Sequence, residues 1–513
     1  MLSKDAIKRG YNRRNYVVGA HTPPGYAATI TKFDGPAELQ RSPVIVTTAQ
    51  VDALRKVSDK VETAREAVIA GTRDWWARTM VAETSGRPAT PDAVIVHASK
   101  VEQIQAVMRI ANEHAIPVTV SAGRSNVTGA ALPVRGGIVL DICNLNQLVD
   151  YDEVSQVVNV EAGMFGDVFE ETIQGKFRMT MGHWPSSFGI STVGGWVACR
   201  GAGQLSTRYG KIEDMVYGMD VVLADGRLIT VGGYPRAAIG SDLQQIFIGS
   251  EGTLGIIVRV RFKLHRLPDY GKAIAYEFGT FAEGLEACRQ IMQQGANPAA
   301  LRLYDELESG VQFNRPTTNV LMIADEGAPE MVDAVMSICE RVCKETGVEL
   351  DGAVILERWL DTRYLTGKSA EGFKKSPGFV ADTLEMSGCW RDLPVIYDEV
   401  VKAIASVPGT LAGSAHQSHA YVDGACLYFS LRGEVEVDKR AEWYRAAWDA
   451  ANAVIIRYNA TLSHHHGVGL LRAPYMAESL GSAFSLLQMT KKALDPKNLL
   501  NPGKLGLSDE VSH

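Results

Sequence analysis

The greatest chemical capacity lies in a short run, SHHHGVG, where His464, His465 and His466 are consecutive. Histidine titrates nearest neutrality, so three together offer proton transfer at physiological pH. On a strand, His464 and His466 would share one face and His465 the other. Neutral imidazoles two apart also suit a shared metal, and histidines occur as plain solvent or core residues too. Upstream, Tyr428 lies in GACLYF and Arg302 in LRLYD. A strand tyrosine packs its ring and needs a partner for its hydroxyl. Phe429 beside it points to the opposite face. Arg302 alternates with apolar neighbours. Facing inward, it suits a carboxylate or phosphate, or an ion pair with a nearby acid. Arg472 is a similar case, and His416 and His419 flank the region of Tyr428.

Three earlier segments combine glycine with small hydroxyl residues: PVTVSAGRSN at 117–126, GHWPSSFGISTVGGWVACRGAG at 182–203 and GSEGTLGII at 249–257. Glycine lets the backbone approach a ligand and adopt positive φ. Successive N–H groups in such turns make anion-binding nests, and hydroxyls add donors for a pyrophosphate. Spread over so long a stretch, they suit an extended dinucleotide better than a single phosphate. There is no GxGxxG at a strand–helix junction and no GxxxxGK[ST], which disfavours a Rossmann site and a P-loop. No GxSxG nucleophile elbow occurs either.

Hydrophobic periodicity supplies the elements that must position these groups. A helix is expected over residues 51–69. A strand–helix–strand unit follows: strand 93–97, a helix to about 114 opened by a Ser99/Glu102 capping box, and strand 117–120. Further strands fall at 137–141 and 157–161, with a helix over 165–174 and a loop over 182–203. Strands 219–223 and 228–231 meet at Asp225-Gly226, a favoured hairpin dipeptide. Residues 256–264 alternate as a half-buried strand, and His265-Arg266-Leu267-Pro268 ends it at a domain boundary. Beyond it, strands (320–324, 425–431) alternate with helices (329–344, 441–458). Residues 359–379 follow no clear period. A helix near 483–494 is stopped by Asp495-Pro496.

The 513 residues allow two or three domains. A net charge of −7 and a pI near 5.9 give no nucleic-acid footprint. The one basic cluster, Lys4, Lys8, Arg9, Arg13 and Arg14, reads as a solvated segment. Seven cysteines, an odd number without CxxC, fit a reducing compartment and neither a disulfide framework nor a zinc site. Cys339 and Cys343, four apart on a helix, read as buried small apolar residues. There is no apolar leader and no membrane-length apolar run. A soluble cytoplasmic protein is expected.

GHWPSSFGISTVGGWVACRGAG with YGKIEDMV, IGSEGTLGII, RLYD, GACLYF, SHHHGVG and LDPKNLLNPGKL together resemble the vanillyl-alcohol oxidase / p-cresol methylhydroxylase superfamily of FAD enzymes. Within it they are most similar to the alkyldihydroxyacetonephosphate synthase (alkylglycerone-phosphate synthase) family. The resemblance runs from about residue 92 to 505. It implies an α+β fold: a p-cresol methylhydroxylase-type FAD-binding domain of two α/β subdomains with an α+β cap domain. The expected division is an N-terminal segment (1–91), the FAD-binding domain (92–267), the cap or substrate domain (268–460), and a segment returning to the FAD domain and active site (461–513). FAD contacts would fall on Ser121, Ala122, Gly123, Arg124, Ser125, Asn126 and Val127. The second segment would contribute Ser186, Ser187, Gly189, Ser191, Thr192, Gly194, Gly195, Cys199, Arg200, Gly201 and Ala202. The third would contribute Glu251, Gly252, Thr253, Gly255, Ile256 and Ile257. Arg124 and Ser125 stand where some members attach FAD covalently, so FAD is expected non-covalently. The first loop reads SAGRS in place of GGGTS, and Arg124 is a candidate cationic donor in compensation.

The resemblance also makes Tyr428 a proton donor and acceptor. His464, His465 and His466 become proton-handling residues with no metal. Arg302, from its own alternation, is a further catalytic candidate. Two reactions follow. One is FAD-dependent oxidation of a hydroxyl-bearing small molecule, such as a 2-hydroxy acid or alcohol, by hydride transfer to flavin N5. Oxygen, a quinone or a protein would then accept the electrons. The other is ether-lipid formation by a synthase-like transferase, with flavin N5 as covalent carrier. A non-catalytic flavin-binding protein is a third, disfavoured by the intact histidine and tyrosine motifs. The synthases carry an arginine upstream of the segment matched by EMSGCW at 385–390. Here residues 369–375 hold none, and Lys374 or Lys375 stands nearest. A point charge does not replace a planar fork, so oxidation is preferred. A homodimer is expected from the resemblance alone.

Overall fold

The computed structural model describes residues 37–364, 376–508 and 510. The basic cluster at Lys4–Arg14 and the lysines Lys374 and Lys375 lie outside them. Three main sheets carry the fold. The first has four strands in the order Lys60–Glu62, Val94–His97, Ile138–Asp141, Val118–Ser121, the last three parallel. Its central strand, IVLD, is buried throughout, as parallel strands covered on both faces must be. The helix Val101–Glu113 packs through Val101, Ile104, Val107, Met108 and Ala111, one helical stripe. The second sheet is antiparallel, ordered Leu148–Asp152, Val157–Glu161, Ile256–Lys263, Val216–Val222, Leu228–Gly232. Val258, Val260 and Phe262 are fully buried. Arg261 on the opposite face reaches Asp220 at 3.1 Å.

After Ile256–Lys263 the short strand His265–Arg266 leaves this sheet and pairs with Met179–Thr180. The next strand, Tyr270–Phe278, belongs to a seven-stranded antiparallel sheet. Its five central strands are Tyr270–Phe278, Asn319–Gly327, Ala300–Tyr304, Thr410–Ala420 and Gly424–Glu434. Val348–Leu350 and Phe379–Cys389 lie at the edges. One face is apolar: Leu301, Leu303, Leu384, Met386, Leu427, Phe429 and Leu431 pack with residues of the helices Phe281–Gln293, Leu393–Ala405 and Arg440–Arg457. The other face carries the polar alternates, Arg302, Tyr304, Thr383, Glu385, His416 and Tyr428. It looks across at the first two sheets. Arg208 bridges the halves to buried Asp325 at 2.8 Å, and Tyr209 donates to Glu326 at 2.7 Å. Late in the chain, Asn501 and Leu499 bond both backbone groups of Val118, extending the parallel sheet.

Four expectations need correction. The helix over 51–69 is broken: Thr48–Arg55 and Arg65–Gly71 flank the strand Lys60–Glu62, which the pairing of Val61 with Val96 captures. The helix after Ser99 is capped by Gln103, whose side chain accepts from Ser99 and Lys100 N–H, and not by Glu102. Residues 182–203 are not all loop. Val193–Cys199 is a helix, opened where Thr192 Oγ1 accepts from Gly195 N–H. Tertiary packing of Val193 and Val197, both fully buried, overrides the poor propensity of its glycines. The histidine run is not a strand.

Candidate functional site

A cavity of about 520 Å³ lies between the polar face of the seven-stranded sheet and the first two sheets. All the expected cofactor residues line it except Gly189, Arg200 and Thr253. Arg200 turns away to Gln245 and the Ile248 carbonyl, and Thr253 is engaged with Ser250. Gly123 permits the first and second segments to meet: a Cβ there would stand 2.3 Å from the Ile190 carbonyl oxygen. Arg124 is not free for a pyrophosphate, because Asp141 holds its guanidinium at 3.2 Å. Tyr428, His465, His466 and Arg302 line the cavity, and His464 does not.

Glu385 organises the histidines. Fully buried on Phe379–Cys389, its carboxylate accepts from the backbone N–H groups of His464, His465 and His466 and from Ser463 Oγ. Arg472, also fully buried, closes the arrangement at 3.2 Å. Burial works to raise the Glu385 carboxyl, but Arg472 and the three imidazoles outweigh it and hold it well below the carboxylate range. Three convergent N–H groups are incompatible with a strand, which explains the missing one. Arg472 therefore serves the loop and does not face ligand.

The imidazoles divide their tasks. His464 Nε2 meets Tyr421 Oη at 2.8 Å, and its Nδ1 meets His465 Nδ1 at 2.9 Å. His466 Nε2 lies 3.5 Å from Tyr428 Oη, which donates to Thr383 Oγ1 at 3.0 Å. Burial pushes His464 down to about 3 and His466 to about 4, and holds His465 well below the ordinary value. All are neutral at pH 7. Burial raises Tyr428, so it keeps its proton. His419 arrives by a β-bulge: φ of 57° and a register shift between Ser418 and Ala420 set its ring 4.8 Å from His464. Ligand atoms of Glu385, Cys426, His464 and His465 lie within 4.8 Å of one another. The carboxylate of that group is already committed to its N–H donors and Arg472.

Sequence reasoning missed several lining residues. Trp75 and Thr383 carry no local signal. Arg302 donates from Nε to Tyr304 Oη at 2.9 Å and from Nη2 to His416 Nε2 at 3.0 Å. No carboxylate lies in ion-pair range of it among the described residues. His183, 1% exposed, has both ring nitrogens without a partner. Burial and Lys211 push it down to about 3. Its place inside the second glycine segment was the available signal.

The cavity fits a flavin dinucleotide. Glycine segments run along it, Trp75, Ile142, Ile190 and Trp196 provide apolar walls, and His183 offers an unsatisfied polar group. Its size is that of small-molecule cofactor pockets. Cys199, the cysteine on its wall, has its thiol pushed up to about 12 by burial and Glu251, a poor nucleophile. Such a capped cavity defines a flavoprotein of the p-cresol methylhydroxylase fold. Residues 91–232 match the family described as FAD binding domain, and residues 267–505 match FAD linked oxidases, C-terminal domain. The chain is 31% identical over 432 residues to the uncharacterized FAD-linked oxidoreductase YgcU of Escherichia coli K12, covering 80% of this chain and 88% of the relative. It is 28% identical over 509 residues to alkyldihydroxyacetonephosphate synthase of Trypanosoma brucei brucei (90% and 81%). It is 27% identical over 435 residues to glycolate oxidase subunit GlcD of Bacillus subtilis (82% and 90%). The solved structure of p-cresol methylhydroxylase with substrate bound superposes with a TM-score of 0.73 at 18% identity, covering 91% of this chain and 98% of that one. The chain belongs to the FAD-linked oxidase family, and FAD is its cofactor. Among the described residues no helix is long and apolar enough to cross a membrane.

Proposed function

We propose that the chain is an oxidoreductase that oxidises a small 2-hydroxy acid, with FAD held non-covalently. One observation carries this reading. Arg302, 8% exposed and without a carboxylate partner among the described residues, stands on the same wall as Tyr428 and His466. A buried guanidinium in that position recruits an anion. When bound, FAD supplies the hydride acceptor. Arg302 binds the substrate carboxylate, and neutral His466 or His465 takes the hydroxyl proton. Tyr428 keeps its proton and orients the hydroxyl through its hydrogen-bond chain. The likeness to a glycolate oxidase subunit supports the substrate class. Residues 92–267 with 461–513 serve the cofactor, and 268–460 the substrate.

A second reading, ether-lipid synthesis by a transferase, is supported by the similarity to alkyldihydroxyacetonephosphate synthase over 90% of the chain. A single experiment separates the two. The yellow protein is mixed anaerobically with 2-hydroxy acids and alcohols while flavin absorbance is followed. Bleaching by a hydroxy acid is expected. No bleaching, with ether formed from acyl-dihydroxyacetone phosphate and a fatty alcohol, selects the transferase. Acid precipitation checks the attachment, and a colourless pellet is expected.

A further inference from the structure

We propose that Glu308 and His416 form a clamp that fixes Arg302 as the receiver of the substrate's anionic end, a positioning role that rests on the hydroxy-acid reading above. A guanidinium only donates. Arg302 Nη2 is 3.0 Å from His416 Nε2, so that ring nitrogen accepts and carries no proton. The proton of the neutral ring then sits on Nδ1 and is donated to Glu308 Oε2 at 2.7 Å. Glu308 Oε1 in turn accepts from Ser430 Oγ at 2.8 Å and Ser414 Oγ at 3.3 Å. Each member's role is thereby set by its neighbour. Arg302 Nε is committed to Tyr304 Oη, which fixes the plane of the fork and leaves Nη1 for a ligand. The rings of Tyr304 and Trp359, at 5.6 and 5.7 Å, hold the same cation.

The clamp is assembled from distant parts of the chain. Glu308 comes from the helix Glu306–Phe313, and His416 from a strand whose partner residues are Tyr304 on one side and Tyr428 on the other. His416 also stacks on Tyr428 with ring centroids 4.9 Å apart. The arginine that receives the anion and the tyrosine that orients the hydroxyl are therefore braced by one imidazole.

The test uses the FAD-loaded enzyme and oxalate, an anion with no hydride to give, titrated by calorimetry. His416→Phe removes the acceptor and is expected to weaken oxalate about 10–100-fold, the worth of a charge-assisted hydrogen bond. His416→Gln places an amide oxygen near the Nε2 position and is expected to recover most of that loss. For a 2-hydroxy acid, KM rises more than kcat falls in His416→Phe. Oxalate binding within about twofold of wild type in His416→Phe, or equal damage in His416→Gln, overturns the clamp. Melting curves identify a variant that fails to fold. Glu308→Gln, which keeps the volume, then carries the test with an expected intermediate loss, and wild-type affinity in it overturns the clamp. Oxalate binding needs no turnover. A wild type that binds oxalate, loses it in Arg302→Met, and oxidises no hydroxy acid refutes the oxidoreductase reading while leaving the clamp standing. A wild type blind to oxalate refutes the clamp.

Discussion

Replacing Glu385 with Gln changes one atom at the centre of the histidine loop, and the structure fixes what it should cost. Oε1 accepts from His466 N–H, Ser463 Oγ and Arg472; Oε2 accepts from His464 N–H and His465 N–H. An amide must present its NH₂ to one of these sets, and either way donors face donors. Arg472 is also left as a fully buried cation without its counter-charge. Breaking a buried pair from one side costs about 3–5 kcal/mol, and for a chain of this length an apparent melting point should fall by roughly 3–5 °C. Calorimetry with saturating FAD measures it. Adding Arg472→Met to Glu385→Gln should restore part of the loss, with a coupling of ~1 kcal/mol or more. The pH dependence has a fixed sign. The Glu385 carboxyl is depressed in the fold, so its contribution is complete above its ordinary value of 4.5 and disappears as pH falls through the folded value. That acid-side loss should be absent from Glu385→Gln. A melting shift under about 2 °C, or strict additivity of the two substitutions, refutes the reasoning.

Tyr428→Phe removes the hydroxyl shared between Thr383 and His466. Turnover should fall about 10²–10³-fold, the worth of one positioned hydrogen bond, with little change in melting point, and steady-state kinetics with calorimetry checks both. With neutral His466 as the proposed proton acceptor, kcat/KM should stay level down to the acid side and drop as pH approaches about 4; a limb near 6.5 in the pH profile contradicts that assignment. Gly123→Ala puts a methyl against the Ile190 carbonyl, so purified protein should remain folded but carry much less FAD, read as the ratio of flavin to protein absorbance.

The three glycine segments were legible because close backbone approach leaves a mark in composition. Gly123 is the clearest instance, since no other residue fits against Ile190. The alternation around Arg302 and Tyr428 was equally readable, and the sheet places both on its polar face. The histidine run was visible as a motif but not as a shape. Its geometry is dictated by Glu385, some 80 residues upstream, and no local period announces such a carboxylate. His416 and Glu308 are 108 residues apart and meet only through strand register and one helix. His419 was visible as a histidine near Tyr428, but the bulge that turns its ring toward His464 was not. The helix Val193–Cys199 escaped because burial overrides propensity there.

The closing contacts of Val118 with Leu499 and Asn501 bear on how the molecule is born. Lys504, fully buried, donates to the Leu132 carbonyl 372 residues away in sequence. Asn501 ties the Ala130 and Glu251 carbonyls, two cavity residues, to each other. The Val118 edge of the parallel sheet therefore stays unpaired until residues 499–501 have been made and can reach it. A strand edge waiting that long is an aggregation hazard. Asn501 and Lys504 tie the chamber wall together across 371 and 372 residues of chain, so enclosure of the flavin depends on contacts that no local folding event can supply.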